Sequence, residues 1–182
     1  MARQYWSSAQ GPLHSASGAS YNTSTTLTDI SPGATANPIL LPAGSLDIGT
    51  IIRVNAHGSY ATSATTPTLL LGVYYGGVAG TALATCGTPT VANTATANWR
   101  WQLYWEGVVQ ATGTSGSIFG SGWVDMAASL TTTTHIPMPV IATAAVTVDT
   151  TVQKAWTIGG QWGTSAAANI AFCYMMSVET LN

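Results

Sequence analysis

The chain has 182 residues, enough for one domain with its own hydrophobic core. Only 5% of the residues are charged, the formal net charge is −2 and the four basic residues are scattered along the chain, so no basic surface for nucleic acid is predicted. No apolar run approaches the roughly 20 residues of a membrane-spanning helix, and no membrane partner is predicted.

The first residues, "MARQYWSSAQGPLHS", lack the apolar core of a signal peptide. This predicts a protein that is made and kept in a cytoplasm rather than exported. Cys86 and Cys173 form at most one bridge, and in a reducing compartment we expect two free thiols.

Residues 1–37 differ in composition from the rest of the chain. They are rich in Ser, Thr, Ala, Gly and Asn and have almost no periodic apolar pattern, which predicts an extended arm without a core of its own. A disordered tail is the alternative. The adhesive side chains of this arm, which we expect to anchor it to a neighbour, are Arg3, Tyr5, Trp6, Leu13 and Tyr21.

Residues 38–182 are predicted to form one β domain, because from residue 38 onward the apolar pattern has a period of two. "TIIRVNAHGSY" places Ile52, Val54, Ala56 and Tyr60 on one face, and "TLLLGVYYGG" is apolar on both faces, as in a central strand. In "NIAFCYMMSVETL" strict alternation places Ile170, Phe172, Tyr174, Met176 and Val178 together. No segment has helical periodicity with caps. Seven or more strands with Gly- and Thr-rich turns predict an antiparallel β-sandwich, most simply a jelly roll.

The stretch "NWRWQLYWEGVVQATG" alternates tryptophans with polar residues. Because residues two apart share a face, we predict Trp99, Trp101 and Trp105 inside, with Arg100, Gln102, Tyr104 and Glu106 outside. A one-residue slip would bury two charges, which costs several kcal/mol per ion unless they are well paired. The predicted core also includes Trp123 and Trp156, in a sandwich where tryptophans pack over strand glycines.

No catalytic, metal-binding or cofactor-binding residues are predicted. His14, His57 and His135 are far apart and have no metal-ligand spacing, and no phosphate-binding loop or nucleophile elbow is present in the sequence. The carboxylates of Glu106 and Asp125 flank a hairpin and are the candidates for a glycosidase pair, but carboxylates at strand ends more often face water. His57 alternates with Arg53 and Asn55, which favours a polar face over a catalytic base. We therefore expect no enzyme.

The order of the segments resembles the trimeric jelly-roll proteins of tailed-bacteriophage virions, described as head decoration, minor capsid or fibre proteins. The residues that carry the resemblance are "LPAGSLDIGTIIRVNAHGSY", "PTLLLGVYYGG", "NWRWQLYWEGVVQATGTSGSIFGSGW" and "TTVQKAWTIGGQWGTSAAANIAFCYMMSVETL". It covers about residues 38–182. It implies a TNF-like jelly roll, a homotrimer and a structural role on the particle, and it carries over no functional residue.

The resemblance therefore predicts a structural virion protein, which is assembled in the host cytoplasm and located on the capsid surface. Its expected partners are further copies of itself and the major capsid protein shell, with a host-surface glycan as a further candidate. A capsid decoration (cement) protein is favoured. The alternatives are a tail-fibre or baseplate receptor-binding head and, from another class, a carbohydrate-binding module that stacks sugars on aromatic side chains.

A homotrimer is also expected because a sparsely charged protomer has little charge repulsion to keep copies apart. Its interface is expected to use aromatic side chains on outer strand faces. The candidates are Tyr74, Tyr104, Phe172 and Tyr174.

Overall fold

The computed structural model describes residues 7–10, 21–22, 25–32, 38–62, 67–92, 98–139 and 144–181; for residues 7–10 and 21–22 it describes the backbone alone. Within these ranges every regular element is a β-strand. The strands are β1 (Ser7–Gln10), β2 (Tyr21–Asn22), β3 (Thr28–Asp29), β4 (Ile39–Leu41), β5 (Ile51–Ala61), β6 (Leu69–Tyr75), β7 (Thr81–Thr85), β8 (Trp99–Ala111), β9 (Gly116–Ala127), β10 (Thr133–Met138), β11 (Val146–Val148), β12 (Lys154–Trp162) and β13 (Ile170–Leu181).

The strands form two antiparallel sheets. The larger has eight strands in the order β1-β13-β5-β8-β9-β10, with β2 also paired to β13 and β11 to β9. The smaller has five, in the order β3-β12-β6-β7, with β4 also paired to β12. The chain is thus an all-β sandwich, as the period-two pattern predicts, and its two antiparallel sheets are compatible with a jelly roll.

The core lies between the two sheets and is built from the alternate residues that the pleat turns inward. The larger sheet contributes Trp101 and Trp105, and the smaller sheet contributes Trp156 and Trp162, all at most 2% exposed. A Cβ added to Gly58 would overlap the Trp101 ring, and one added to Gly120 would overlap the Trp105 ring. Tryptophans therefore do pack over strand glycines, which leave the room that these rings occupy.

Strand β13 does not alternate strictly. Its pairing with β5 shifts register between Cys173 and Met175, where a β-bulge inserts one extra residue. Ala171 and Cys173 are buried before the bulge, and Met176 and Val178 after it. The prediction that Phe172, Tyr174, Met176 and Val178 share a face is therefore wrong, because the extra residue reverses the parity.

Part of the segment 1–37 belongs to the sandwich. β1 and β2 add to the edge of β13, and β3 adds to β12 opposite Gly159 and Gly160. Ile30 is fully buried in the core, and the Ser31 hydroxyl accepts a hydrogen bond from the backbone N–H of Ile158 at 2.8 Å. The composition of residues 1–37 did not predict these contacts, because a single apolar residue in the right strand register is enough to form them.

Candidate functional site

The broadest candidate surface is the outer face of the eight-stranded sheet, defined as the side chains of β13, β5, β8, β9 and β10 that point away from the core. Cross-strand register aligns them in rows that run across the strands. The apolar row is Leu181–Ile51–Val108–Phe119, and the charged row is Glu179–Arg53–Glu106–Ser121. The two rows that mix polar and aromatic groups are Ser177–Asn55–Tyr104–Trp123–Pro137 and Met175–His57–Gln102–Asp125–His135.

The stretch that opens β8 is oriented as its alternation predicts. Trp101 and Trp105 are buried, Trp99 is half-buried against the core, and the residues between them reach the outer face. Cross-strand pairing agrees with this orientation, because the outward Gln102 and Glu106 meet polar partners on both β5 and β9.

Trp123 is not in the core, and that prediction is wrong. It is half-buried on the outer face, where its ring stacks on Tyr104 at a centroid distance of 5.8 Å and an interplanar angle of 23°. The inward residues of β9 are Ile118, Val124 and Met126. The sequence did hold the signal, since Trp123 shares its parity with the polar residues Ser121 and Asp125.

Three of the four predicted trimer-interface residues lie on the outer face. Tyr104 is half-buried near its centre, while Phe172 and Tyr174 stack on each other at 6.0 Å and 10° beside the bulge. Tyr74 is only 5% exposed within one chain. Its ring lies over Gly159, next to Leu27, so it has almost no surface to offer a partner and the prediction is wrong for it.

A charged network crosses the middle of the outer face. The Arg53 guanidinium donates to the Glu106 carboxylate at 2.6 Å, and the Tyr104 hydroxyl donates to the same carboxylate oxygen at 2.9 Å. These two hydrogen bonds lower the pKa of Glu106, and that from Arg53 contributes more. The carboxylate is thus a fixed structural group in an ion pair.

Asp125 has a different partner, the His135 ring, whose Nδ1 lies 2.6 Å from a carboxylate oxygen. Glu106 faces Ser121, which is four residues from Asp125 along β9, or about 13 Å at the rise of a strand. Glycosidase carboxylates are about 5–9.5 Å apart. The two carboxylates therefore do not form the glycosidase pair that was weighed from the sequence.

A groove crosses one end of the outer face. It has a volume of about 590 Å³ and is bordered by Tyr174 on β13 and by the β9–β10 loop at Ser129 and Leu130. Its other lining residues combine polar and apolar groups. The polar ones are His57, Asn98, Arg100, Gln102, Asp125 and Thr133, and the others are Gly58, Trp99, Trp101 and Ala127. Sequence reasoning missed this groove, because it joins residues of five strands that are distant in the chain.

The opposite end of the outer face, here called the apolar end, consists of Ile51, Val108, Phe119 and Leu181, with Ile48 beside it in the loop before β5. Ile48 is 64% and Phe119 43% exposed. Ile51 and His57 are six residues apart on β5, so the apolar end lies about 20 Å from the groove.

The two cysteines are free and buried. Burial raises the pKa of the Cys86 thiol to about 11 and that of Cys173 to about 12. Both thiols are therefore protonated at neutral pH and act as small core residues.

Among the described residues, no three His, Cys, Asp or Glu side chains lie together where they could hold a metal ion. The described ranges also contain no helix long and apolar enough to cross a membrane. Of the predicted anchoring residues, Arg3, Tyr5, Trp6 and Leu13 lie outside the described residues. Tyr21 is described by its backbone alone, which pairs with Ala171.

Comparison with known proteins places the chain in no family. No family model matches it, and no curated protein matches it. A solved structure titled "Structure of infectious bursal disease virus Gt strain" matches with 15% identity and a TM-score of 0.21, over 98% of this chain and 41% of that one. The chain thus spans about two fifths of that neighbour. A TM-score this low does not identify a shared fold.

Proposed function

We propose that the chain is a structural protein of a tailed-bacteriophage virion, a homotrimeric capsid decoration protein that braces the head shell. The observation that carries the proposal is the apolar end, a band in which Ile48 and Phe119 are exposed and Ile51, Val108 and Leu181 are half-buried, on a sandwich with few charges. Exposed apolar bands of this kind mark sites of association. The resemblance of residues 38–182 to trimeric jelly-roll virion proteins supports the same function.

The low charge supports a particle role on independent physical grounds. The chain has four basic and six acidic residues, so few contacts between copies can depend on ion pairs that salt screens. A virion protein meets large changes in ionic strength and dilution after release. Apolar contacts between protomers persist under both conditions.

We place the trimer interface at the apolar end together with Tyr104. Replacing Phe119 by Glu puts a charge into this band and is expected to release monomers, because an unpaired charge at a buried contact is costly. Light scattering should give about three times the 18.7 kDa chain mass for the wild type and a single chain mass for Phe119→Glu.

The matched control is Leu130→Glu. Leu130 is 93% exposed at the far end of the face, so this variant receives the same charge and is expected to remain trimeric. A wild-type monomer at micromolar concentration would disprove the trimer. A trimeric Phe119→Glu protein would place the interface elsewhere.

The position of the protein on the particle distinguishes a decoration protein from the main alternative, a tail-fibre or baseplate receptor-binding head. Antibody labelling of particles is expected to mark many sites over the head. Labelling of few sites at the tail would instead indicate a receptor-binding fibre or baseplate head. The groove, with its aromatic and planar polar side chains, is the observation that supports this alternative. No labelling of particles, combined with glycan binding by the free protein, would indicate a carbohydrate-binding module.

A further inference from the structure

The groove at the end of the outer face has the properties of a ligand site. Its volume of about 590 Å³ falls within the range of about 300–1,000 Å³ that small-molecule sites occupy. It extends from Tyr174 on β13 to Thr133 on β10, across four strand spacings, or about 19 Å. The groove is thus elongated and open, which suits a chain-like ligand better than a single small ring.

The groove contains an uncommitted cation. The two ion pairs in the described part of the chain are Arg53–Glu106 and His135–Asp125, and Arg100 belongs to neither. Arg100 is exposed and lines the groove. Because a guanidinium presents a planar set of donors that matches a carboxylate, its open position favours an acidic group on the ligand.

The remaining lining groups suit hydroxyls and ring faces. Gln102 and Asn98 offer amide donors and acceptors, and the Asp125 carboxylate accepts. Burial lowers the pKa of His57, so its ring is neutral at pH 7 and both donates and accepts. Tyr174 is 44% exposed, and its hydroxyl lies 2.7 Å from that of Ser59, which fixes the ring at the border of the groove.

We propose that this groove binds an oligosaccharide that carries a carboxylate, with Arg100 pairing the acid and Tyr174 supporting a sugar ring. A phosphate carries up to two negative charges and would call for more than one cation, whereas Arg100 matches a single carboxylate. A purely apolar ligand would leave the polar lining unpaired. The site lies within one protomer and about 20 Å from the apolar end, so it does not depend on the proposed decoration function.

The test uses the full chain and two tetrasaccharides, one of alternating glucuronate and N-acetylglucosamine and one of N-acetylglucosamine alone. Calorimetry is expected to show binding of the acidic tetrasaccharide at least ten-fold tighter than that of the neutral one. Arg100→Gln is expected to weaken acidic binding by ten-fold or more and to leave neutral binding unchanged. Tyr174→Ala is expected to weaken both.

The matched control is Lys154→Gln, which removes one positive charge from the smaller sheet and is expected to bind as the wild type does. Circular dichroism and thermal unfolding verify that each variant is folded, which is expected for Arg100→Gln because the side chain is exposed. Equal affinity for the two sugars, retention of acidic binding by Arg100→Gln, or absence of binding at millimolar sugar would each overturn the proposal. Since oligomeric state is measured separately, these outcomes leave the decoration proposal untouched.

Discussion

The tryptophans of β8 and β9 differ in what their removal takes from the fold. Trp101 is 2% exposed, fills the space over Gly58 and donates its indole N–H to the carbonyl of Ser59 at 3.3 Å. Trp123 lies on the outer face, where its ring stacks on the ring of Tyr104. Similar residues at nearby positions therefore have different energetic roles, which depend on the face they occupy.

Trp101→Ala is expected to lower the free energy of unfolding by about 3–5 kcal/mol, because it leaves a cavity in the core. Trp123→Ala should lower it less, by about 1–3 kcal/mol, since it removes two aromatic contacts at the surface, to Tyr104 and to His135. Denaturant unfolding of both variants measures the difference. Equal losses would contradict the assignment of the two rings to opposite faces.

The Arg53–Glu106 pair gives a pH dependence of known sign. The folded-state pKa of Glu106 is lowered from its ordinary value of 4.5, so the pair stabilises the fold above that value and the contribution is lost as pH falls through the folded pKa. Both side chains are more than a third exposed, so solvent screens the pair and its contribution is small. We expect Glu106→Gln to be slightly less stable than the wild type at pH 7, and the difference to shrink as the pH falls below 4.5. A difference that grows toward acid pH would reverse the sign.

At the scale of elements, the bulge in β13 decides which part of this strand meets the core. Before it, Phe172 lies outside; after it, Met175 lies outside and Met176 inside. The bulge also brings Tyr174 to the border of the groove, 44% exposed. One inserted residue therefore sets both the packing of the second half of the strand and the position of a groove residue.

Two neighbouring methionines test the bulge directly. Met175 is 39% exposed and Met176 is 2% exposed. Met175→Lys is expected to change the free energy of unfolding by less than about 0.5 kcal/mol, as surface substitutions usually do. Met176→Lys should lower it by about 3 kcal/mol or more, because it buries an unpaired charge. A strand that alternated strictly, without the bulge, would bury both Met176 and Phe172. If chemical labelling or another solvent-exposure measurement found Phe172 buried, that result would contradict the structure.

At the scale of the whole molecule, the segment 1–37 contributes to both sheets. β1 and β2 pair with β13 of the larger sheet, whereas β3 and Ile30 pack on the smaller one. Stability and attachment are therefore expected to reside in different parts of the same segment. The proposed anchoring residues Arg3, Tyr5 and Trp6 precede β1.

Deletion of residues 1–6 tests the anchoring role without removing a strand. The shortened chain is expected to keep its thermal stability and trimeric state but to lose binding to heads that lack the protein, because the deletion removes the proposed anchoring residues Arg3, Tyr5 and Trp6 from every copy. Co-sedimentation with such heads is the measurement. Full occupancy by the shortened chain would show that the arm does not anchor it.

The sequence by itself determined the class of fold and the faces of the regular strands. In β5 and β8 the pleat fixes a period of two, and a slip by one residue would bury Arg53 or Arg100, so local pattern and burial agree. The inward Trp101 and Trp105 follow from the same local rule. The two free thiols were expected on the separate ground of a reducing compartment. Trp123 could have been placed by its parity with Ser121 and Asp125, but aromatic size favoured the core.

Only the tertiary structure decided the features that depend on long-range register. The bulge at Cys173–Met175, the burial of Tyr74 beside Leu27 and the insertion of Ile30 into the core each need a partner that is distant in the chain. The groove likewise exists only because β13, β5, β8, β9 and β10 lie side by side in that order. Periodicity states which residues share a face of one strand, but it contains no information about which strands are neighbours, and a binding surface is made by neighbours.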